Sequence, residues 1–225
     1  LSRKGMRVKK LYEEYHAACP DGYLKASFGM KLRQYLLQSN AIGHVEHRAG
    51  DQMYVDFAGD RLQIVDQTTA DERKVEVFVA ILPCSHYTYC EAVWSQKKED
   101  LIKACENAIR FYGGAPCAIV PDNLRSAVTR SDRNEPVINP DFEAFAEHYG
   151  CAVVPARVRH PRDKALVENA VKLMYRSVYV DLEGMVFHDL ESLNGAIRRS
   201  LEKFNDRNLT RRRESRRQLF DLCRE

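Results

Sequence analysis

The chain has no apolar run long enough to cross a bilayer as a helix, and its opening stretch, LSRKGMRVKK, has no apolar signal-peptide core. It also lacks internal repeats and low-complexity segments, which excludes solenoids and extended linkers. Its seven cysteines are odd in number, irregularly spaced and include no C-x-x-C. That pattern argues against a disulfide framework and fits a reducing cytoplasm. His44 and His47 form an H-x-x-H, but the nearest cysteines, Cys19 and Cys84, stand alone, so a zinc module is not expected. The first residue is Leu rather than Met, and the expectation is a fragment of a longer protein.

The 225 residues, 44% apolar and 30% charged, suffice to bury a sizeable globular core. The net charge of +3 decides little, but the charges are segregated. Arg3, Lys4, Arg7, Lys9 and Lys10 precede any acid. Residues 157–176 carry Arg157, Arg159, Arg162, Lys164, Lys172 and Arg176 against only Asp163 and Glu168. Arg211, Arg212, Arg213, Arg216 and Arg217 crowd the end. Such patches suit a phosphate backbone, and they equally suit a plain solvated surface.

Period and punctuation give the element order. Two short helices are expected within 7–40, split by the turn-forming CPDGY; Phe28, Leu32, Tyr35 and Leu36 make the stripe of the second. Strands follow at 52–58, 61–67, 74–82 and 86–94, with Gly59-Asp60 as a tight turn pairing the first two as a hairpin. KVEVFVAIL is apolar on both alternating sets, as a central strand covered on both faces requires. A helix over 97–112, closed by Gly113-Gly114, leads to the short strand CAIVP. After an irregular polar stretch at 125–138 come a helix with Phe142, Phe145, Ala146 and Tyr149, the strand CAVVP, and a helix capped by Asp163 with Val167, Val171, Met174 and Val178. A last helix is expected near 189–204. Trp94, Tyr87 and Tyr89 read as core, and the cysteines as space-filling. Strands first, then alternating helix and strand, predict a mixed sheet with helical crossovers.

Three acids stand out. Asp56 lies inside the apolar strand MYVDF, where Asp is disfavoured unless it faces water, is paired, or binds a cation. Asp122 follows an apolar strand in IVPDNLRSAV, where α/β sheets place ligand sites and where Asp also serves as a turn or cap residue. Glu168 lies in RDKALVENAVK, where Lys164, Glu168, Lys172 and Arg176 step by four and would make an ordinary charge ladder. Three carboxylates meeting at one end of a sheet would repel each other unless cations bind, and Mg²⁺ is the hard cation that suits them.

The segments YVDFAGD, PDNLRSAV and HPRDKALVENAVK, in that order, resemble the Asp–Asp–Glu blocks of IstA-type insertion-sequence transposases, which belong to the RNase H-like superfamily of transposases and retroviral integrases. EHRAGDQMYVDFAG and NDRNLTRRRESRRQLF are similar to that family too. The resemblance implies an α/β, RNase H-like mixed five-stranded sheet, three antiparallel strands and then parallel ones, with 61–67 in a hairpin extension of the first core strand. It implies a catalytic core at 46–185, a helical remnant of an upstream DNA-binding region at 1–45, and a C-terminal helix and basic tail at 186–225. It also implies Asp56, Asp122 and Glu168 as catalytic metal ligands for Mg²⁺, with Mn²⁺ as substitute, and phosphate contacts from Arg157, Arg159, Arg162, Lys164, Lys172 and Arg176. The implied partners are transposon-end and target DNA, further copies of the chain on that DNA, and an AAA+ ATPase helper. An integrase or nuclease of the same superfamily, or a catalytically silent DNA-binding module, are the other readings. The zinc module of retroviral integrases is absent from the sequence.

Overall fold

The strand β1 (Gln52–Phe57) fixes the architecture, because its alternate residues serve two different faces. The structure, a computed structural model, describes residues 8–39, 48–122, 124, 126–130, 137–155, 168–169, 171–210 and 213–223. Met53, Val55 and Phe57 enter the larger apolar cluster, and Tyr54 enters a second, smaller one with Ile81, Ala118 and Val120. Both faces of the strand are therefore covered, and its run of apolar residues is explained.

The strand β3 (Glu72–Leu82) lies antiparallel to β1, and β4 (Tyr87–Val93) lies antiparallel to β3. On the other side, β5 (Ala118–Pro121) and β8 (Ala152–Val153) continue the sheet in parallel. The order β4-β3-β1-β5-β8 is the expected five-stranded mixed sheet. Parallel neighbours need crossovers, which α3 (Lys98–Tyr112) and α4 (Pro140–His148) supply. The helix α3 buries Leu101, Cys105, Ala108, Ile109 and Tyr112 and stops at Gly113, whose φ of 71° only glycine adopts freely.

A sixth strand, β2 (Leu62–Val65), corrects the expected hairpin at Gly59-Asp60. It pairs with β3, not with β1. Both β1 and β2 run along β3 as one interrupted strand, and residues 58–61 stand opposite only Glu76 and Val77. The surplus makes a bulge, and the true turn lies at 66–71, where the Asp66 carboxylate accepts from the amides of Thr68 and Thr69. The 125–138 stretch, expected to be irregular, contains a small ribbon of β6 (Val128–Arg130) and β7 (Val137–Ile138).

Helices close both sheet edges. At the N-terminal side, α1 (Val8–Ala18) packs on α2 (Lys25–Ser39) through Tyr12, Tyr15 and Phe28, and Gln34 of α2 donates to the carbonyl of Val153 at 3.0 Å. The expected stripe of α2 does not hold at Tyr35, which is exposed. After the helical run α5 (168–169 and 171–182), α6 (Leu190–Asp206) covers β4 with Leu193, Ile197, Leu201 and Phe204 buried, as expected.

The terminal stretch read as a basic tail carries a further helix, α7 (Arg216–Leu222), begun by a capping box of Ser215 and Gln218. Two of its basic residues are structural. Arg216 is only 6% exposed, stacks on Phe204 at 4.0 Å and donates to the Phe204 carbonyl; Arg217 bonds Asp206 at 2.5 Å. Trp94, expected in the core, is 41% exposed with the Arg73 guanidinium 4.0 Å over its ring. Tyr87, Tyr89, Cys90, Cys105 and Cys151 are buried as expected. The expected N-cap Asp163 and Val167 lie outside the described residues.

Candidate active site

Strand parity puts Asp56 on the Tyr54 face of β1, one step past the end of the smaller apolar cluster. It is half-buried, and its Oδ1 accepts the amide of Phe57 at 2.8 Å. In β5, Ala118 and Val120 share that cluster, so the same parity brings Asp122 to the same face. The Asp122 amide donates to the carbonyl of Val55 at 3.1 Å, extending the Val55–Pro121 register by one residue. Asp56 and Asp122 are thus neighbours at the carboxyl ends of adjacent parallel strands, with their backbones about 5 Å apart by strand spacing. This is where α/β sheets form ligand sites.

Glu168 is exposed at the start of α5. One turn on, Val171 packs against both apolar clusters, so α5 begins beside the sheet where its two faces meet. The three acids nevertheless do not make a closed group. Among the described residues, no three His, Cys, Asp or Glu side chains stand close enough to hold a metal ion. The donor chemistry does suit a hard divalent cation, since what it would meet between Asp56 and Asp122 is carboxylate oxygen.

Of the basic residues named from the sequence, Lys172 and Arg176 are exposed on α5. Arg157, Arg159, Arg162 and Lys164 lie outside the described residues.

The sequence reading missed what fastens α5 to the strand. Residues Tyr175–Tyr179 form a π-helical turn, a feature that widens a helix locally and recurs at functional sites. Its two tyrosines grip one residue of the bulge beyond Asp56. The Asp60 amide donates to the Tyr175 hydroxyl at 2.5 Å, and the Tyr179 hydroxyl donates to the Asp60 carbonyl at 2.7 Å. Burial pushes both phenols above their usual pKa, so they remain protonated at neutral pH. On the other side of the bulge, the buried Glu76 carboxylate binds Arg61 at 2.6 Å and Gln96 at 2.9 Å. The available signal was the Tyr-x-x-x-Tyr spacing on the helix that follows Glu168.

Known proteins resemble the chain in sequence and in fold. In sequence the chain is 37% identical over 221 residues to "Putative transposase y4bL/y4kJ/y4tB" of Sinorhizobium fredii, and 35% identical over 223 residues to "Putative transposase for insertion sequence IS408" of Burkholderia multivorans. Each alignment covers 98% of this chain and 43% of the relative, so the chain spans less than half the length of these relatives. In structure it matches the HTLV-2 integrase catalytic core domain, described in complex with magnesium, with a TM-score of 0.54. That match covers 77% of this chain and 97% of the other at 16% identity, which is a likeness of fold, the RNase H-like one. Residues 46–161, just over half of the chain, match the family described as "Integrase core domain". The strand order and the alignment over those residues agree, and the chain belongs to the integrase core domain family.

Proposed function

We propose that the chain is the catalytic core of an IstA-type insertion-sequence DNA transposase, a metal-dependent polynucleotidyl transferase. The observation that carries this reading is the side-by-side position of Asp56 and Asp122 at adjacent parallel strand ends. Carboxylates at neighbouring positions of one sheet face can share a cation, and Mg²⁺, or Mn²⁺ in its place, is the cation their oxygens suit. Glu168 is the third carboxylate of the proposal. Bound there, the metal would activate a water or a 3′-hydroxyl and stabilise the oxygen that leaves the phosphodiester.

The remaining residues serve position. Strand β1, pinned between β3 and β5, holds Asp56 on a rigid element. Lys172 and Arg176, one and two turns beyond Glu168, would contact phosphates together with Arg157, Arg159, Arg162 and Lys164 of the preceding segment. Such contacts orient a duplex without reading its sequence. In this reading 46–185 is the catalytic core and 1–45 the end of an upstream DNA-binding region. The substrates are transposon ends and target DNA, the working form is several copies on paired ends, and an AAA+ ATPase assists. The names of the relatives, transposases of insertion sequences among them, support the reading.

The test uses the full-length protein and a duplex carrying the ends of its own insertion sequence. With Mg²⁺ or Mn²⁺, strand cutting is expected to disappear in both Asp56→Asn and Asp122→Asn, while affinity for the duplex stays level or rises. Wild-type cutting rates in either variant overturn the assignment. A nuclease would cut but leave the 3′-ends unjoined to target DNA, and a silent DNA-binding module would neither cut nor join.

A further inference from the structure

Far from the aspartates, two cysteines that lie 139 residues apart in the chain meet. Cys84 follows β3 in the turn to β4, and Cys223 is the residue that caps α7; their sulfurs are 3.1 Å apart, and both are half-buried. Both line a cavity of about 250 Å³ whose wall also includes Arg48, Gln52, Tyr112 and Phe220. Gln52 starts β1, so this cavity opens at the opposite end of the sheet from Asp56.

We propose that Cys84 and Cys223 are a dithiol site that closes to a disulfide by exchange with a small soluble disulfide such as oxidised glutathione. The sulfurs are about 1 Å beyond bonding distance. The cavity gives a small reagent access to them, and the Arg48 cation on its wall favours an anionic one. The steps balance. One cysteine, as thiolate, attacks a sulfur of the small disulfide, forms a mixed disulfide and expels one small thiolate. The second cysteine, also as thiolate, attacks the protein sulfur of the mixed disulfide and expels the other. Two electrons pass from the protein thiols to the reagent, whose S–S bond breaks as the Cys84–Cys223 bond forms, and the two protons pass to the released thiolates or to solvent. The new bond ties α7 to the β3–β4 turn across a long loop, the situation in which a crosslink most restricts the unfolded chain. The buried Cys90, Cys105 and Cys151 are out of reach.

The test incubates the full chain with oxidised glutathione, quenches with acid, and maps the cysteines by mass spectrometry. The expected product is a Cys84–Cys223 crosslink with no glutathione retained on either residue, while the exposed Cys19 keeps its adduct and shows that the reagent was active. Cys84→Ser should trap glutathione on Cys223, and Cys223→Ser should trap it on Cys84. The thermal midpoint should rise by several degrees on oxidation of the wild type and not in either variant. Lasting adducts on both cysteines of the wild type, a bond to any other cysteine, or no reaction while Cys19 is modified would each overturn the proposal. Circular dichroism checks that the variants fold, and the wild-type crosslink map decides the matter without them.

Discussion

Glu91 shows how a single carboxylate can weigh on the whole chain. It lies on β4 opposite Phe78, half-buried, and the Asn107 amide donates to both its oxygens at 3.1 Å. Burial raises its pKa above the ordinary 4.5, and hydrogen bonds from Asn107 and Tyr89 and the Arg198 charge only partly offset this. The folded chain therefore holds the Glu91 proton more tightly than the unfolded chain does. The stability Glu91 contributes is fully present below pH 4.5 and is lost as pH rises through the raised folded value. Glu91→Gln keeps an oxygen for Asn107 and removes the buried charge. It should raise the thermal midpoint at pH 7, with the gain shrinking to nothing as the scan is repeated toward pH 4. An equal or lower midpoint at pH 7 would show that Arg198 and Asn107 compensate the charge in full.

At the scale of elements, the sheet solves its edge problem with side-chain amides. An uncovered edge strand offers unpaired backbone groups to any other strand. On β4, Asn194 and Asn205 of α6 each bond one residue at both backbone positions. Asn194 accepts from the Ala92 amide at 2.6 Å and donates to its carbonyl at 2.9 Å, and Asn205 does the same for Thr88 at 3.2 and 2.8 Å. Three turns of helix thus match the run of edge positions from Thr88 to Ala92. Asn205 is fully buried, so its loss strands polar groups away from water. Asn205→Ala is expected to cost about 1–3 kcal/mol in urea unfolding. Combined with Asn194→Ala it should also cause concentration-dependent association, read by light scattering. Neither asparagine announced itself in the sequence, because Asn within a helix is usually only a weak helix former. Its value here depends on which strand the helix covers.

For the molecule as a whole, the decisive joint is between α5 and the bulge. One element carries Glu168, the other continues the strand that carries Asp56, and Tyr175 and Tyr179 join them through both backbone groups of Asp60. Replacing both tyrosines by Phe retains the packing of their rings, 4.5 Å apart, and deletes only the hydroxyls. The double variant should lose about 1–3 kcal/mol of stability. More tellingly, the Asp60 amide should exchange with solvent faster than in the wild type, since its acceptor is gone. Unchanged exchange at Asp60 would mean that Arg61 and Glu76 alone hold the bulge.

What the sequence by itself determined is the order and kind of the main elements and the residues most in need of explanation. Period two across MYVDF and period 3.6 across Leu101 to Tyr112 are local properties, written in the spacing of apolar side chains, and they survive into the structure. The oddity of Asp56 was legible for the same reason: a charge inside an apolar strand violates a local pattern. Pairing is not local. Residues 58–61 look like a turn by composition, but β2 gains more by staying on β3 than by folding back on β1, and only the register with Glu76 and Val77 reveals the bulge. The basic run at 211–217 likewise read as one patch, whereas the tertiary structure divides it, because Phe204 offers Arg216 a ring and a carbonyl and Asp206 offers Arg217 a charge. The adjacency of Asp56 and Asp122 belongs to the same class. Each residue was visible in the sequence, but only a parallel pairing of β1 with β5 sets the two on one face, because alternation sorts side chains by parity and register decides which parities meet.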